Sequence, residues 1–249
     1  MNAADDDDKH DSNDSDNVDI TKSSSSASLI PPQIASIIDQ TDQFTFSDSD
    51  STTDSRSVTV RLHVDASPGC GGIAWPAGRV LSEYIVRHPD LVSGREIVLE
   101  LGSGTGLVGL VAAQLGAKTV WITDQQVLLP IMNKNVEMNS LGDNVKVAEL
   151  NWGEAVPEYL PTRPDVILAA DCVYFEPAFP LLVQTLSDLS DSRTEILFCY
   201  KKRRKADKRF FTMLKKKFKY VEIPDEPYSD VYTREAISLL RLTKIGTSN

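Results

Sequence analysis

The stretch Val98-Leu99-Glu100-Leu101-Gly102-Ser103-Gly104-Thr105-Gly106-Leu107 constrains this chain more than any other. An apolar run ends at an acid, and three glycines then alternate through a turn. Leu107–Ala113 resumes as apolar, helix-forming sequence. Glycine takes positive φ freely, so a ligand can approach its backbone closely, and the helix that follows begins with unpaired N–H groups. The pattern predicts a strand, a Gly-rich loop and a helix, the unit at which open α/β sheets bind nucleotide-like ligands.

The spacing narrows the ligand. A dinucleotide fingerprint runs G-x-G-x-x-G, whereas these glycines fall at 102, 104 and 106. The next apolar run, Lys118–Asp124, ends in an acid 22 residues after Gly102, where a carboxylate can accept hydrogen bonds from both ribose hydroxyls. Glu100 is ill suited to a pyrophosphate. It suits a ligand with a cationic amino-acid end and no phosphate, which describes S-adenosylmethionine (AdoMet). The alternatives are a ligand-free α/β turn and, behind it, NAD or FAD.

From about residue 57 the pattern is regular. Val58–Val64 alternates like a strand, Ser67–Gly72 is a loop, and Trp75–Arg87 reads as an amphipathic helix with Pro76 in its first turn. Strands over 95–101, 118–124, 145–150, 165–170 and 195–200 are interleaved with helices near 106–116, 127–139, 178–189 and 205–217. Two last strands, near 219–223 and 235–242, are separated by Pro224, Pro227 and a polar loop. The all-apolar run Val166–Ala170 is expected to be central and parallel. This alternation predicts one domain built on a doubly wound α/β sheet.

Charge divides the chain. Residues 1–56 hold 13 Asp and no Glu against Lys9, Lys22 and Arg56, which accounts for the entire formal net charge of −10. Such a Ser/Asp-rich segment buries too little apolar surface to offset chain entropy, so residues 1–56 are expected to be a disordered acidic leader and 57–249 the folded domain. A short apolar patch, Leu29-Ile30 to Ile37-Ile38, could dock. No window approaches the ~18 apolar residues of a membrane span, and no secretory signal core is present. Cys70, Cys172 and Cys199 are odd in number and lack metal-ligand spacing, and the three histidines are scattered. Free thiols, a cytoplasmic location, no metal, no membrane partner and a monomer are the expectations.

Three further features fall at strand ends. The third regular strand ends in Asn151-Trp152-Gly153, where Trp152 could stack on adenine and Asn151 meet its amino group; a core aromatic is the alternative. The central strand runs into Ala170-Asp171-Cys172-Val173-Tyr174. Asp171 would sit at the sheet rim beside the cofactor cleft with Tyr174 walling it, or else cap the next helix. Residues 201–219 hold eleven Lys or Arg against Asp207. That run is a solvated helix face, a docking surface for an acidic or RNA-associated partner, or a contact for the leader.

Glu100-Leu101-Gly102-Ser103-Gly104-Thr105-Gly106, Thr123-Asp124, Leu150-Asn151-Trp152-Gly153 and Asp171-Cys172-Val173-Tyr174 occur in the order of the seven-β-strand methyltransferases. The D-x-x-Y motif, with Trp75-Pro76 ahead of the first helix, resembles the lysine methyltransferases of methyltransferase family 16, and within it the fungal enzymes that act on translation elongation factor 1-alpha. The likeness spans roughly 57–243. It implies a Rossmann-like, mostly parallel seven-stranded sheet and AdoMet as cofactor. Cofactor contacts would come from Trp75, Glu100, Gly102, Ser103, Gly104, Gly106, Asp124, Asn151, Trp152 and Ala170. Asp171 and Tyr174 would face the lysine of a protein substrate, with no direct nucleic-acid partner. Asn151 departs from the Asp common there, but keeps a carbonyl acceptor.

The chemistry suits these parts. A lysine of pKa near ~10.4 is mostly protonated at neutral pH, and desolvation beside a sulfonium favours the neutral amine. Asp171 alone favours the ammonium, so its first role would be capture and aim. Two other readings stand: a methyltransferase acting on RNA or a small molecule, and a non-catalytic AdoMet-binding module. The chain lacks the Asn-Pro-Pro-Tyr type of motif used on planar amino groups.

Overall fold

The computed structural model describes residues 37–48, 56–203, 207–225 and 228–246. Most of the acidic leader, and Arg204 and Lys205 of the basic run, lie outside the described residues. The main sheet has seven strands: β3 (Ile97–Leu101), β4 (Thr119–Asp124), β5 (Val145–Glu149), β6 (Val166–Ala170), β7 (Glu195–Lys201), β8 (Phe218–Glu222) and β9 (Ile237–Lys244). Their order is β5-β4-β3-β6-β7-β9-β8. The first five are parallel; β9 lies antiparallel between β7 and β8. The chain leaves β3 toward β4 and β5, then returns to place β6 on the other side of β3. Such a reversal opens a crevice at the C-terminal strand ends, and there the Gly loop emerges.

The helices are α1 (Pro76–Arg87), α2 (Leu107–Gln114), α3 (Leu129–Met138), α4 (Phe179–Leu189), α5 (Asp207–Leu214) and α6 (Ser229–Glu235). Pro76 occupies the first turn of α1, where a missing N–H costs nothing. One apolar cluster joins α1, α2 and α3 to one sheet face; a second joins α4 and α5 to the other. Within the latter, Phe210 stacks on Phe198 at 5.6 Å between ring centroids and meets Phe179 edge-on at the same distance. Among the described residues, no helix is long and apolar enough to cross a membrane.

Two expectations need correction. The folded part starts before residue 57: residues 40–47, placed in the acidic leader by composition, form β1 (Gln40–Ser47), antiparallel to β2 (Ser57–Val64). Phe46 is buried, Ile37 and Phe44 pack on the same core, and the Ala66 amide donates to the Ile37 carbonyl at 2.9 Å. The segment between Pro224 and β9 is not all loop, because residues 229–235 form α6.

The β1–β2 pair stays apart from the main sheet, packed on α1, α2 and α3. Side-chain amides serve the second edge of β2. Asn135 accepts from the His63 amide at 2.6 Å and donates to the His63 and Thr105 carbonyls. One turn on, Asn139 accepts from the Arg61 amide at 2.9 Å and donates to its carbonyl. Spaced i, i+4 on α3, the two asparagines replace a strand neighbour. If β1 belongs to the cooperative unit, Phe46→Ala lowers unfolding stability by about 3–5 kcal/mol, as for other buried aromatics. A wild-type denaturation midpoint in that variant would put β1 outside it.

Candidate active site

The ends of β3, β4 and β6, the loop before α1 and the first turn of α2 enclose a cavity of about 300 Å³. Gly102 and Gly104 have φ of +60° and +55°. A Cβ on Gly102 would stand 2.9 Å from the Trp152 ring, and one on Gly104 would stand 2.5 Å from the Gly71 carbonyl oxygen. Bare backbone is therefore required where the loop lines the cavity.

Two acids stand on the wall, Glu100 buried and Asp124 partly so. Glu100 is 3% exposed; one oxygen accepts from the Gly109 amide at 2.9 Å, which ties β3 to the first turns of α2. Asp124 accepts from the Gly104 amide at 2.8 Å and the Gln125 amide at 2.7 Å, one on each oxygen. Burial pushes the Glu100 carboxyl up to about 8 and the Asp124 carboxyl up to about 6, against the pull of those amides. The neighbouring Asp124 charge adds to the rise at Glu100. A cation without phosphate would relieve both, and a pyrophosphate would face two carboxyls. A carboxylate offers about four acceptor directions, so Asp124 retains room for ligand hydroxyls.

Trp75 lines the same cavity, its indole N–H donating to the Cys70 carbonyl at 2.7 Å. Trp152 and Ala170 are also on the wall. Ser103 is on the wall too, but its hydroxyl braces the loop: it donates to the Glu100 carbonyl and accepts from the Thr123 amide. Two residues expected at the cofactor are elsewhere. Asn151 turns its amide to Glu149 at 3.0 Å and Glu154 at 3.3 Å, away from the cavity. Gly106 begins α2 at φ +84°, where a Cβ would strike Ile122; it shapes the turn from behind. Leu150, Gln125 and Leu128 line the cavity instead. Gln125 was within reach of sequence reasoning, since it directly follows the acid that ends β4.

Asp171 follows β6 at the mouth, 6% exposed and at φ +55°. One carboxylate oxygen accepts from the Ala77 amide at 3.1 Å; the other accepts from the Lys201 amide at 3.0 Å and from Arg203 Nη1 at 2.8 Å. Trp75, the residue that starts α1, has no side-chain cap to offer. The capping alternative is thus realised on a helix distant in sequence: Asp171 supplies the acceptor at the N-terminus of α1, where the helix dipole favours an anion. Tyr174 stands beside it on the cavity wall, hydrogen-bonded to the Cys70 thiol. Burial pushes its hydroxyl, and that thiol, above their usual values. Sequence reasoning missed Arg203, which also lines the cavity with its guanidinium 5.4 Å from the Trp75 ring centroid. Its basic run gave no sign of which member turns inward.

The cavity fits AdoMet: bare glycine backbone, two carboxyl groups and two indole rings line it. Residues 54–217 match the family described as lysine methyltransferase, methyltransferase family 16. The protein-lysine N-methyltransferase EFM6 of Saccharomyces cerevisiae is 40% identical over 201 residues, covering 71% of this chain and 82% of that protein. An EEF1A lysine methyltransferase 3 of Xenopus tropicalis is 34% identical over 145 residues, covering 58% and 63%. In fold, the chain is similar to the T. thermophilus 16S rRNA N2 G1207 methyltransferase in complex with AdoMet and guanosine. That match has a TM-score of 0.54 and 21% identity, and covers 82% of this chain and 51% of that one. With most of its sheet, its cavity and its motifs inside the matched span, this chain belongs to the AdoMet-dependent lysine methyltransferases of methyltransferase family 16.

Proposed function

We propose that the protein methylates a lysine of a protein substrate, translation elongation factor 1-alpha, with Asp171 receiving the lysine at the cofactor cavity. The observation that carries the reading is the buried Asp171 carboxylate, held by three donors on the wall of the cavity. The fungal resemblance and the name of the Xenopus relative support the choice of substrate. AdoMet supplies an electrophilic methyl group on a sulfonium.

The residues divide the work. Gly102 and Gly104 let the cofactor's amino-acid portion lie against backbone. Trp152 offers its ring to the adenine, and Asp124 accepts from the ribose hydroxyls. Glu100, whose carboxyl burial keeps largely protonated near pH 7, ties β3 to the first turns of α2 through Gly109. Asp171 orients the ammonium through its carboxylate oxygens. Tyr174, kept a neutral phenol by burial, packs beside the amine and orients it. Alignment of nitrogen, methyl and sulfur is then the main source of rate. Loss of the lysine proton is favoured by desolvation near a second cation.

A pH dependence follows for Asp124. In the free protein burial pushes its carboxyl up to about 6. Ribose hydroxyls and a nearby sulfonium favour the ionised form, so the bound value is lower. Binding below pH ~6 must therefore release a proton, and affinity falls by up to about tenfold per pH unit, while above that pH this contribution is flat. Calorimetric Kd values taken across that range check this, and Asp124→Asn should flatten the acid limb. A Kd that does not weaken in acid would remove Asp124 from the ribose.

The substrate is tested by incubating purified elongation factor 1-alpha, prepared from cells lacking the endogenous enzyme, with this protein and AdoMet. Intact-mass and peptide spectra should show methyl increments on a lysine. An unmodified factor, with label entering another lysate protein, would replace the substrate while leaving the chemistry in place.

A further inference from the structure

Arg203 belongs to two spaces. It lines the cofactor cavity, where it pairs with Asp171, and it forms one wall of a wider groove of about 780 Å³ alongside. That groove, between β7, α5 and β8, presents Lys202, Lys208 and Lys215 among Tyr200, Phe211 and Tyr220. Among the described residues, none of the three lysines has a carboxylate within ion-pair distance. Lys215 lies 5.5 Å from the Tyr220 ring centroid. The acid on this wall, Asp207, is buried and accepts from the Arg203 amide at 3.0 Å. The groove is thus a cationic surface with stiff aromatic walls, ending at the residue that covers Asp171.

We propose that this groove receives an acidic segment of the protein substrate adjoining the target lysine, and that Arg203 is the exchange point between groove and active site. The inference rests on Asp171 facing the acceptor lysine. In the free chain the Arg203 guanidinium occupies an acceptor direction of Asp171 that an incoming ammonium needs. Moving that guanidinium without a new partner would strand a partly buried cation, which is costly. A substrate carboxylate a few residues from the lysine removes the cost: the ammonium replaces the guanidinium on Asp171, and the guanidinium swings to the carboxylate. Charge is conserved at both places, and the device selects lysines with acids nearby. An extended segment advances about 3.3 Å per residue, so a few residues connect the two spaces.

The test is binding, independent of turnover. The full chain loaded with S-adenosylhomocysteine is titrated into two fluorescein-labelled peptides, each with one central lysine, flanked in one by glutamates and in the other by glutamines. The glutamate peptide should bind at least about tenfold more tightly, with a preference that shrinks as salt screens the lysines. Lys208→Glu with Lys215→Glu should abolish the preference while leaving the S-adenosylhomocysteine Kd unchanged. Arg203→Gln should lower it, and Arg203→Lys should partly restore it. Equal binding of the peptides, or a preference that survives charge reversal, overturns the proposal. So does preferential capture of a labelled oligouridylate, which would make the groove a nucleic-acid site. Cross-links from leader carboxylates to Lys208 or Lys215 that the acidic peptide fails to displace would assign the groove to residues 1–36 instead. If Asp171→Asn leaves methyl transfer intact, the reading of the acceptor site fails separately, whatever the peptides do.

Discussion

Asp171→Asn should lose methyl transfer while retaining the cofactor. Asparagine has the same shape and tolerates the left-handed backbone at this position, where φ is +55°. Its amide oxygen can still accept from the Ala77 or the Lys201 N–H. It cannot hold the charge of a lysine ammonium, and it leaves Arg203 without a counter-ion in a site only a quarter open to solvent. Truncating one member of such a pair costs several kcal/mol, so kcat/KM should fall about 10³-fold, roughly 4 kcal/mol. The Kd for AdoMet should change by less than about threefold, because Asp171 lies at the acceptor end. Asp171→Ala should show the same kinetic loss and also lower stability by about 1 kcal/mol or more, since the first turn of α1 loses its acceptor. Steady-state kinetics, calorimetry and denaturation midpoints separate the two effects. Near-normal turnover in the asparagine variant would sink the role given to Asp171.

Gly104→Ala should remove cofactor binding. The Cβ would sit 2.5 Å from the Gly71 carbonyl oxygen, a backbone atom of the loop before α1, and the residue would be held at φ +55°. Strain alone costs about 1–3 kcal/mol. Relief requires the loop to withdraw from Gly71 or to break the Gly104–Asp124 hydrogen bond, and either shift deforms the cavity on which the ligand depends. The affinity for AdoMet should weaken at least about 10²-fold, near 3 kcal/mol, with secondary structure by circular dichroism unchanged. Gly94→Ala provides the contrast. It has a positive φ of 71° but no neighbour within 4 Å of its Cβ and a place outside the cavity, so it should cost stability alone. Wild-type cofactor affinity in Gly104→Ala would show that the loop is not a close wall of the ligand.

The parts of this site visible in the sequence are those where one residue must serve at a strand end. Glu100, the glycines, Asp124, Trp152 and Asp171 each interrupt or terminate an apolar strand, and that interruption marks them. Asn151 lies off the cavity wall for a local reason: one residue before the cavity-lining indole, it bonds Glu149 and Glu154, and alternation along an extended chain separates the two. Arg203 could not be singled out, because in a run of cations only tertiary contact decides which one meets Asp171. The helix that Asp171 caps lies 94 residues away, so no local pattern records it. β1 was obscured by composition. Its one acid, Asp42, and its polar residues face solvent, while Phe44 and Phe46, two residues apart, supply the face packed on the core. The short α6 is hidden between prolines and carries few apolar residues, but it brings Tyr232 to Asp225 beside the buried Arg87.

The central claim is that this cavity delivers a methyl group from AdoMet to a lysine presented at Asp171. The most direct measurement gives the wild-type protein and Asp171→Asn radiolabelled AdoMet with a lysate lacking the endogenous enzyme, then hydrolyses the labelled protein to amino acids. The account predicts a labelled protein whose radioactivity elutes as methylated lysine, and no label with the variant, although both proteins bind AdoMet equally. Label recovered in RNA or in small molecules, in another amino acid, or at equal intensity with both proteins would contradict it.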